Sequence, residues 1–257
     1  MAANRWSRDE LILAFNLYCK TPFGRIHLRN PEIIALAKIL GRSPSAVSWK
    51  LANFASLDPY LKKRHIAGAS HGSKLDEGVW NEFSQDWDGL AFESERLLAD
   101  RSRTSVESTA EIDTSDLPPP GKEREAMVRV RVNQTFFRKA VLAAYDYQCC
   151  ITGLAVPELL VASHIVPWSR DAANRVNPRN GLLLNALHDK AFDLGLLTIT
   201  PKFVVKVSPG LLKKSRDGFS AATLLAESDG ARMRLPQKFV PDAALLRYHN
   251  RYVYRSR

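Results

Sequence analysis

Two short apolar runs, a polar loop between them and a helical segment after them form the most restrictive pattern in this sequence. The first run is Leu159–Ile165 and the second is Gly181–Leu184. The segment from Asn185 to Asp193 has helical composition and ends before Gly195. Short apolar runs bounded by polar turn residues are typical of strands. The order strand, loop, strand, helix therefore predicts a hairpin that packs on one helix.

This hairpin would bring together three polar residues that are distant along the chain. His164 lies on the first strand, Asn180 at the return of the loop, and His188 on the helix. A single histidine in an apolar strand is ordinarily a hydrogen-bonded core residue. The ordered trio instead favours a functional site, because imidazoles near pH 7 exchange protons and bind metals.

Three sequence blocks around these residues resemble the HNH endonucleases. The blocks are Ser163–Trp168 (SHIVPW), Asn177–Leu184 (NPRNGLLL) and His188–Asp193 (HDKAFD). The resemblance extends from about Val128 to His249, and more faintly into the N-terminal half, which is similar to the leading region of predicted bacterial restriction enzymes of this type. It implies a ββα-metal nuclease that hydrolyses DNA phosphodiester bonds in defence against foreign DNA.

The resemblance also assigns a role to each member of the trio. His164 would be the general base that takes a proton from water. Asn180 would orient that imidazole and fix the loop, and His188 would bind one divalent metal ion. Mg²⁺ is the first expectation at a phosphate site, while an imidazole ligand also suits Mn²⁺, Ni²⁺ or Zn²⁺.

The residue before the expected base departs from the family pattern. The family often has Asp or a second His there as a metal ligand, and this chain has Ser163. Three explanations stay open: the serine hydroxyl contributes, directly or through water; Asp189 or Asp193 replaces it; or metal binding is weak without DNA. Two rival functions follow, a DNA-binding regulator with a degenerate nuclease core and an RNA-directed nuclease.

Helical signals in the first half and the strand, loop, strand, helix order in the second predict an α+β protein of two domains. Residues 101–121 are rich in Ser and Thr and contain three consecutive prolines, which is typical of a linker between a helical domain at 1–100 and a nuclease domain at 122–257. Residues 1–100 carry 13 Lys and Arg against 12 Asp and Glu, and residues 122–257 carry 22 against 11. The basic half predicts DNA as partner, with Lys190 and Arg179 as phosphate contacts.

The N-terminal half has the signals of a helix-turn-helix. Asn30 and Gly41 bound one predicted helix, and the short turn Gly41–Ser43 leads into the next. Trp6-Ser7 together with Ala35–Ser43 resembles a Myb-like helix-turn-helix. Lys50 and Asn53 would then face outward and contact DNA. A plain three-helix bundle with solvated polar residues is the alternative.

Several classes of protein are disfavoured by the sequence. It has no apolar run of about 18 residues and its N-terminus is charged, so neither a membrane span nor a secretory signal is predicted. Cys149 and Cys150 lack a second cysteine pair, which favours packed thiols over a zinc site. The scarcity of cysteine also favours a cytoplasmic location. A homodimer would join two single-strand cuts into one double-strand break, and the residues leave this open.

Overall fold

The computed structural model describes residues 5–63, 72–215 and 221–256. The chain forms two compact units, Met1–Ala143 and Ala144–Arg257. The division therefore lies after the segment predicted as a linker and not within it. The fold is mixed and helix-rich, and its strands form two small antiparallel sheets.

The described part of the first unit is built from helices. They are α1 (Arg8–Lys20), α2 (Pro31–Leu40), α3 (Pro44–Leu57), α4 (Pro59–Lys63), α5 (Lys74–Phe83), α6 (Trp87–Ser102), α7 (Val106–Thr109) and α8 (Lys122–Ala144). Capping residues explain several boundaries. Ser7 and Glu10 form a capping box at the start of α1. Gly41, at φ 63°, ends α2 in the left-handed conformation that glycine adopts without steric cost.

An aromatic cluster forms the core of this unit. The rings of Phe15 and Phe54 stack with their centroids 4.8 Å apart, and Phe15 also lies 5.0 Å from Trp80 and 5.9 Å from Trp87. All four side chains are buried. Large aromatic surfaces contribute most of the burial energy in such cores, so this cluster holds α1, α3, α5 and α6 together.

Lys50 and Asn53 do not face outward as the sequence predicted. Both are buried on α3, and both bind the carboxylate of Asp76 on α5. The Lys50 Nζ atom lies 2.9 Å from each oxygen of Asp76, and the Asn53 amide donates to one of them at 3.1 Å. Helical spacing alone does not show that a residue distant in sequence places a buried carboxylate against this face of α3. The expectation that Lys50 and Asn53 are exposed is therefore wrong. These residues join two helices and are not available to a DNA groove.

Residues 101–121 also differ from the expected linker. The segment contains the end of α6 and the whole of α7, and Ala110 is buried. Ion pairs hold it to α8. They are Glu107–Arg124 at 3.0 Å, Asp116–Arg131 at 2.6 Å and Glu111–Lys139 at 3.0 Å. A segment poor in apolar residues thus contacts a later helix through ion pairs, and α8 belongs almost entirely to the first unit.

The second unit contains the predicted strand, loop, strand, helix order. Its described elements are β1 (Leu160–His164), β2 (Gly181–Asn185), α9 (Ala186–Asp193), β3 (Leu197–Ile199), β4 (Val205–Val207), α10 (Pro209–Lys214), α11 (Ala221–Ala226) and α12 (Ala243–Tyr252). Strands β1 and β2 pair antiparallel with His164 opposite Gly181 and Leu160 opposite Asn185. Asn185 ends β2 and caps α9, so the hairpin leads directly into the helix.

The end of the chain packs closely on the turn after α9. Gly195 has φ +68°, and a Cβ atom built there would lie 2.0 Å from the carbonyl oxygen of Val253. The amide of Arg255 donates to the carbonyl oxygen of Gly195 at 2.9 Å. Only glycine allows this approach, so the segment after α12 is fixed against α9.

Candidate active site

His164 is the last residue of β1, and its ring is held by a backbone carbonyl. The His164 Nε2 atom lies 2.8 Å from the carbonyl oxygen of Arg175. A carbonyl oxygen only accepts, so in the neutral ring Nε2 carries the hydrogen and Nδ1 carries the lone pair. Burial lowers the pKa of His164, and the Arg175 hydrogen bond offsets this only in part. The ring is therefore neutral near pH 7 and able to accept a proton.

The loop between the strands closes over this ring. Trp168 meets the His164 ring edge-on, with centroids 5.6 Å apart and planes at 87°. The Arg175 Nε atom donates to the carbonyl oxygen of Trp168 at 2.7 Å, and its guanidinium lies 5.5 Å from the centre of the Trp168 ring. Arg175 thus fixes both the tryptophan beside the imidazole and the carbonyl that orients it.

Asn180 is fully buried and binds the loop backbone on both sides of the site. Its Oδ1 accepts from the amide of Val166 at 2.8 Å, and its Nδ2 donates to the carbonyl oxygens of Val166 at 3.1 Å and Asn174 at 3.0 Å. Asn174 precedes Arg175, whose carbonyl accepts from His164. The Asn180 amide is therefore linked to the His164 imidazole through the loop backbone. That it orients the ring, as expected from the sequence, stays a prediction.

His188 lies in the first turn of α9, and the capping residue Asn185 fixes its ring. The Asn185 Oδ1 atom lies 2.9 Å from the backbone nitrogen of His188 and 2.9 Å from its Nδ1. Because an amide oxygen only accepts, Nδ1 carries the hydrogen and Nε2 carries the lone pair. Burial lowers the pKa of His188, which keeps the ring neutral.

Two buried side-chain atoms on β1 and α9 have no hydrogen-bond partner among the described residues. They are the Oγ of Ser163 and the Nε2 of His188. An unsatisfied buried polar atom costs about 1–3 kcal/mol, so both positions favour an additional bound group. For His188 the chemistry fits a metal ion, since metal-binding imidazoles ordinarily donate the N–H of their other ring nitrogen to a fixed acceptor, here the Oδ1 of Asn185.

The protein itself offers few further metal ligands. Within 5–63, 72–215 and 221–256, no group of three or more His, Cys, Asp or Glu side chains is placed to hold one ion. Asp193 is exposed at the end of α9, five residues after His188, so the two side chains diverge by about 140° around the helix. An ion at His188 would need further oxygen ligands, such as water, phosphate or the Ser163 hydroxyl, and Mg²⁺ accepts oxygen ligands readily.

The two expected phosphate contacts lie on the segments that carry the trio. Lys190 is exposed on α9, two residues after His188. Arg179 is half-buried in the short 3₁₀ helix Pro178–Asn180, beside Asn180. The DNA contacts of these two cations stay predictions.

Comparison with known families bears on this same stretch. Residues 149–200 match the HNH endonuclease family model. The HNH region, as we call residues 149–200, contains β1, the loop, β2, α9 and β3, and with them Ser163, His164, Asn180 and His188. The match supports the HNH family and a nuclease activity for this part of the chain. A comparison with curated proteins gave no match.

Two groups in and around the HNH region were missed by the sequence reasoning. Asn185 carries a readable signal, because Asn immediately before a helix is a typical N-cap. The Arg175 carbonyl has no sequence signal, because every residue has a backbone carbonyl and only the fold shows which one accepts from His164.

In the described ranges every helix is too short or too polar to cross a bilayer.

Proposed function

We propose that the HNH region is the catalytic centre of a divalent-metal-dependent endonuclease that hydrolyses phosphodiester bonds in DNA. One observation carries the proposal: His164 and His188 each bind a fixed acceptor through one ring nitrogen, which puts the lone pair on the other. Two neutral imidazoles with assigned tautomers on one hairpin-helix element supply a base and a metal ligand. Both favour attack of water on a phosphate, the base by taking the proton of the water and the metal ion by stabilising negative charge.

His164 is the general base in this proposal. Its Nδ1 lone pair takes the proton of the attacking water, while Nε2–H continues to donate to the Arg175 carbonyl oxygen. The positive charge that develops on the ring is stabilised by that carbonyl. General bases of this kind typically contribute about 10²–10⁴-fold in rate.

His188 would hold the divalent ion through Nε2, and the buried hydroxyl of Ser163 is the second atom of the region without a described partner. The bound ion would supply positive charge at the scissile phosphate and at the leaving 3′ oxygen. Asn185 keeps the His188 lone pair available by accepting the Nδ1 hydrogen. Mg²⁺ is the first candidate, and Mn²⁺, Ni²⁺ and Zn²⁺ suit the imidazole as well.

The charge of the second unit suits a polyanionic substrate. Residues 144–257 carry 16 Lys and Arg against 9 Asp and Glu. Lys190 and Arg179 would contact phosphates near the trio. Affinity from such contacts falls steeply as salt rises.

The resemblance to restriction-type HNH proteins supports a role in defence against foreign DNA. If the protein restricts foreign DNA, cells expressing it will take up unmodified plasmid or phage DNA less efficiently than cells expressing His164→Ala. Equal uptake by the two strains would assign the nuclease to another process.

Incubation of the purified full chain with supercoiled plasmid tests the activity itself. Wild type is expected to convert the plasmid to nicked or linear forms with Mg²⁺, Mn²⁺, Ni²⁺ or Zn²⁺, and to leave it intact in EDTA. His164→Ala is expected to cut at least about 100-fold more slowly. His27→Ala, at an exposed histidine of the first unit, is the matched control and should cut like wild type. The ratio of linear to nicked product reports whether two copies cut together, as a homodimer would.

The same experiment separates the rival functions. A protein that binds plasmid but leaves it intact with every ion and with modified DNA is a DNA-binding regulator with a degenerate centre, and the enzyme proposal then fails. Preferential cutting of RNA, when both polymers are offered together, identifies an RNA-directed nuclease instead.

A further inference from the structure

Helix α12 has two faces of opposite character. Leu246 and His249 are buried on the inward face, at 0% and 1% exposed. The outward face carries Arg247 and Arg251, both exposed and one turn apart. Each arginine is followed by a tyrosine, and the rings of Tyr248 and Tyr252 pair with centroids 4.8 Å apart.

The outward face continues past the end of the helix. Tyr252 is 63% exposed, the Arg251 guanidinium lies 5.2 Å from the centre of its ring, and Arg255 is exposed three residues later. We call Arg247, Tyr248, Arg251, Tyr252 and Arg255 the α12 stripe. Arginines clustered along one helix face are typical of surfaces that bind nucleic-acid phosphates. Aromatic rings between such cations also occur on surfaces that bind single strands.

The charge of the α12 stripe is not compensated locally. Residues 243–257 contain no Asp or Glu. Among the described residues, no carboxylate forms a salt bridge with any of the three stripe arginines. Cations near a helix C-terminus do stabilise the helix dipole. That effect accounts for Arg251 in the last turn, but it explains neither Arg255 beyond the helix nor the exposed ring of Tyr252.

Two hydrogen bonds fix α12 to the elements that carry the trio. At its start, the amide of Asp242 donates to the carbonyl oxygen of Arg179 at 3.2 Å. In its last turns, the His249 Nε2 atom lies 3.2 Å from the carbonyl oxygen of Phe192 on α9, and the two rings stack 3.7 Å apart. The inward face is therefore bonded both beside Asn180 and to the helix of His188, which sets the position of the outward face relative to the site.

The geometry points to the α12 stripe as a docking surface for the phosphate backbone of duplex DNA that flanks the cleaved bond. The inference rests on the proposed function and adds a second contact surface outside residues 149–200. Arg247 and Arg251 are about 6 Å apart along the helix axis, close to the rise of about 6.8 Å over two phosphates of one DNA strand. Such contacts position the duplex and carry no base specificity.

Salt-dependent DNA binding by the full chain tests this inference without cleavage. Binding of a fluorescent duplex is measured in EDTA over a range of NaCl concentrations, for wild type and for Arg247→Gln/Arg251→Gln. The control is Lys202→Gln/Lys206→Gln, which removes the same charge from two exposed lysines around β4. Each lost phosphate contact lowers the slope of log K against log salt by about 0.9, so the arginine variant is expected to lose about 1 to 2 units of slope and the lysine variant almost none.

Equal slopes for the two variants would overturn the inference. So would a loss of slope that the arginine variant shows with single-stranded RNA, measured in parallel, but not with the duplex. Because the measurement needs no catalysis, its outcome is independent of the plasmid assay. If wild type cuts plasmid and the arginine variant keeps the wild-type slope, only the docking surface is refuted. If wild type does not cut but the arginine variant loses slope, only the proposed activity is refuted.

Discussion

The Nδ1 atom of His188 lies 2.9 Å from the Oδ1 atom of Asn185, the residue that caps the helix on which His188 stands. One side chain thus begins α9 and sets the tautomer of the proposed metal ligand. The same amide oxygen also accepts from the backbone nitrogen of His188. Loss of this oxygen should weaken metal binding more than it weakens the fold.

Asn185→Ala is expected to lower the affinity for Mn²⁺ by about 10–100-fold, because the His188 ring loses its fixed acceptor. The free energy of unfolding should fall by about 1 kcal/mol through loss of the cap. Calorimetric titration of the full chain with Mn²⁺ measures the first effect and urea unfolding the second. Ser43→Ala removes the cap of α3 and is the control. Equal Mn²⁺ affinities for the two variants would show that Asn185 is only a cap.

Lys50→Ala is expected to destabilise the first unit by about 3–5 kcal/mol, because it leaves the fully buried Asp76 carboxylate without its cation. DNA affinity, measured by anisotropy under conditions where the variant is folded, should not change. Lys38→Ala, at an exposed lysine of α2, should leave the unfolding midpoint in place. A stable Lys50→Ala variant with weaker DNA binding would restore the outward-facing interpretation of α3.

Gly195→Ala is expected to lower the free energy of unfolding by at least about 2 kcal/mol. The left-handed conformation at φ +68° alone costs a non-glycine residue about 1–2 kcal/mol, and the new Cβ would also displace the Val253 carbonyl. Urea unfolding followed by circular dichroism measures the loss. Gly210→Ala is the matched control, since a Cβ there meets no atom within 4 Å and alanine favours the helix. Similar midpoints for both variants would mean that the chain end is not fixed on the turn.

His249 predicts a pH dependence of stability. Its Nδ1 lies 2.7 Å from the Thr198 hydroxyl, and the amide of Asn250 donates to that same oxygen, so the hydroxyl hydrogen points to His249. Burial lowers the pKa of His249 to about 4, and the hydrogen bond to the Phe192 carbonyl offsets this only in part. The unfolded chain, with a pKa of about 6.5, therefore takes up the proton first as the pH falls. The contribution of neutral His249 to the free energy of unfolding is complete above about pH 6.5 and declines towards pH 4, by on the order of 3 kcal/mol.

Urea unfolding at pH 7 and pH 4.5 measures this contribution. Wild type should lose more stability between the two pH values than His249→Gln, while His27→Gln, at an exposed histidine, should follow wild type. The other buried histidines are protonated over the same pH range in all three proteins. The difference in lost stability between wild type and His249→Gln therefore reports His249 alone. Parallel losses in wild type and His249→Gln would contradict the neutral, buried state of this ring.

The part of the fold that follows from local sequence was predictable. Apolar runs and turn residues predicted the order of β1, β2 and α9, and cap residues such as Asn30 and Gly41 marked helix ends. The placement of Lys50 was not, because Asp76 is 26 residues away and its burial depends on tertiary packing. The contacts of segment 101–121 were missed for the same reason, since its ion-pair partners lie on α8.

The candidate site divides in the same way. His164, Asn180 and His188 could be named as candidates from the sequence, because three ordered blocks carry these side chains. The Arg175 carbonyl and the Asn174 carbonyl that connects it to Asn180 are backbone groups, and only the conformation of the loop shows that they matter.

Chemical rescue of His164→Ala tests most directly the central claim that this imidazole removes the proton from the attacking water. Plasmid cleavage by the variant, measured under single-turnover conditions with Mn²⁺, should be slow without additive and should rise with added imidazole. Cleavage by wild type should not rise. A His164→Ala variant that cuts at the wild-type rate without imidazole would contradict the account.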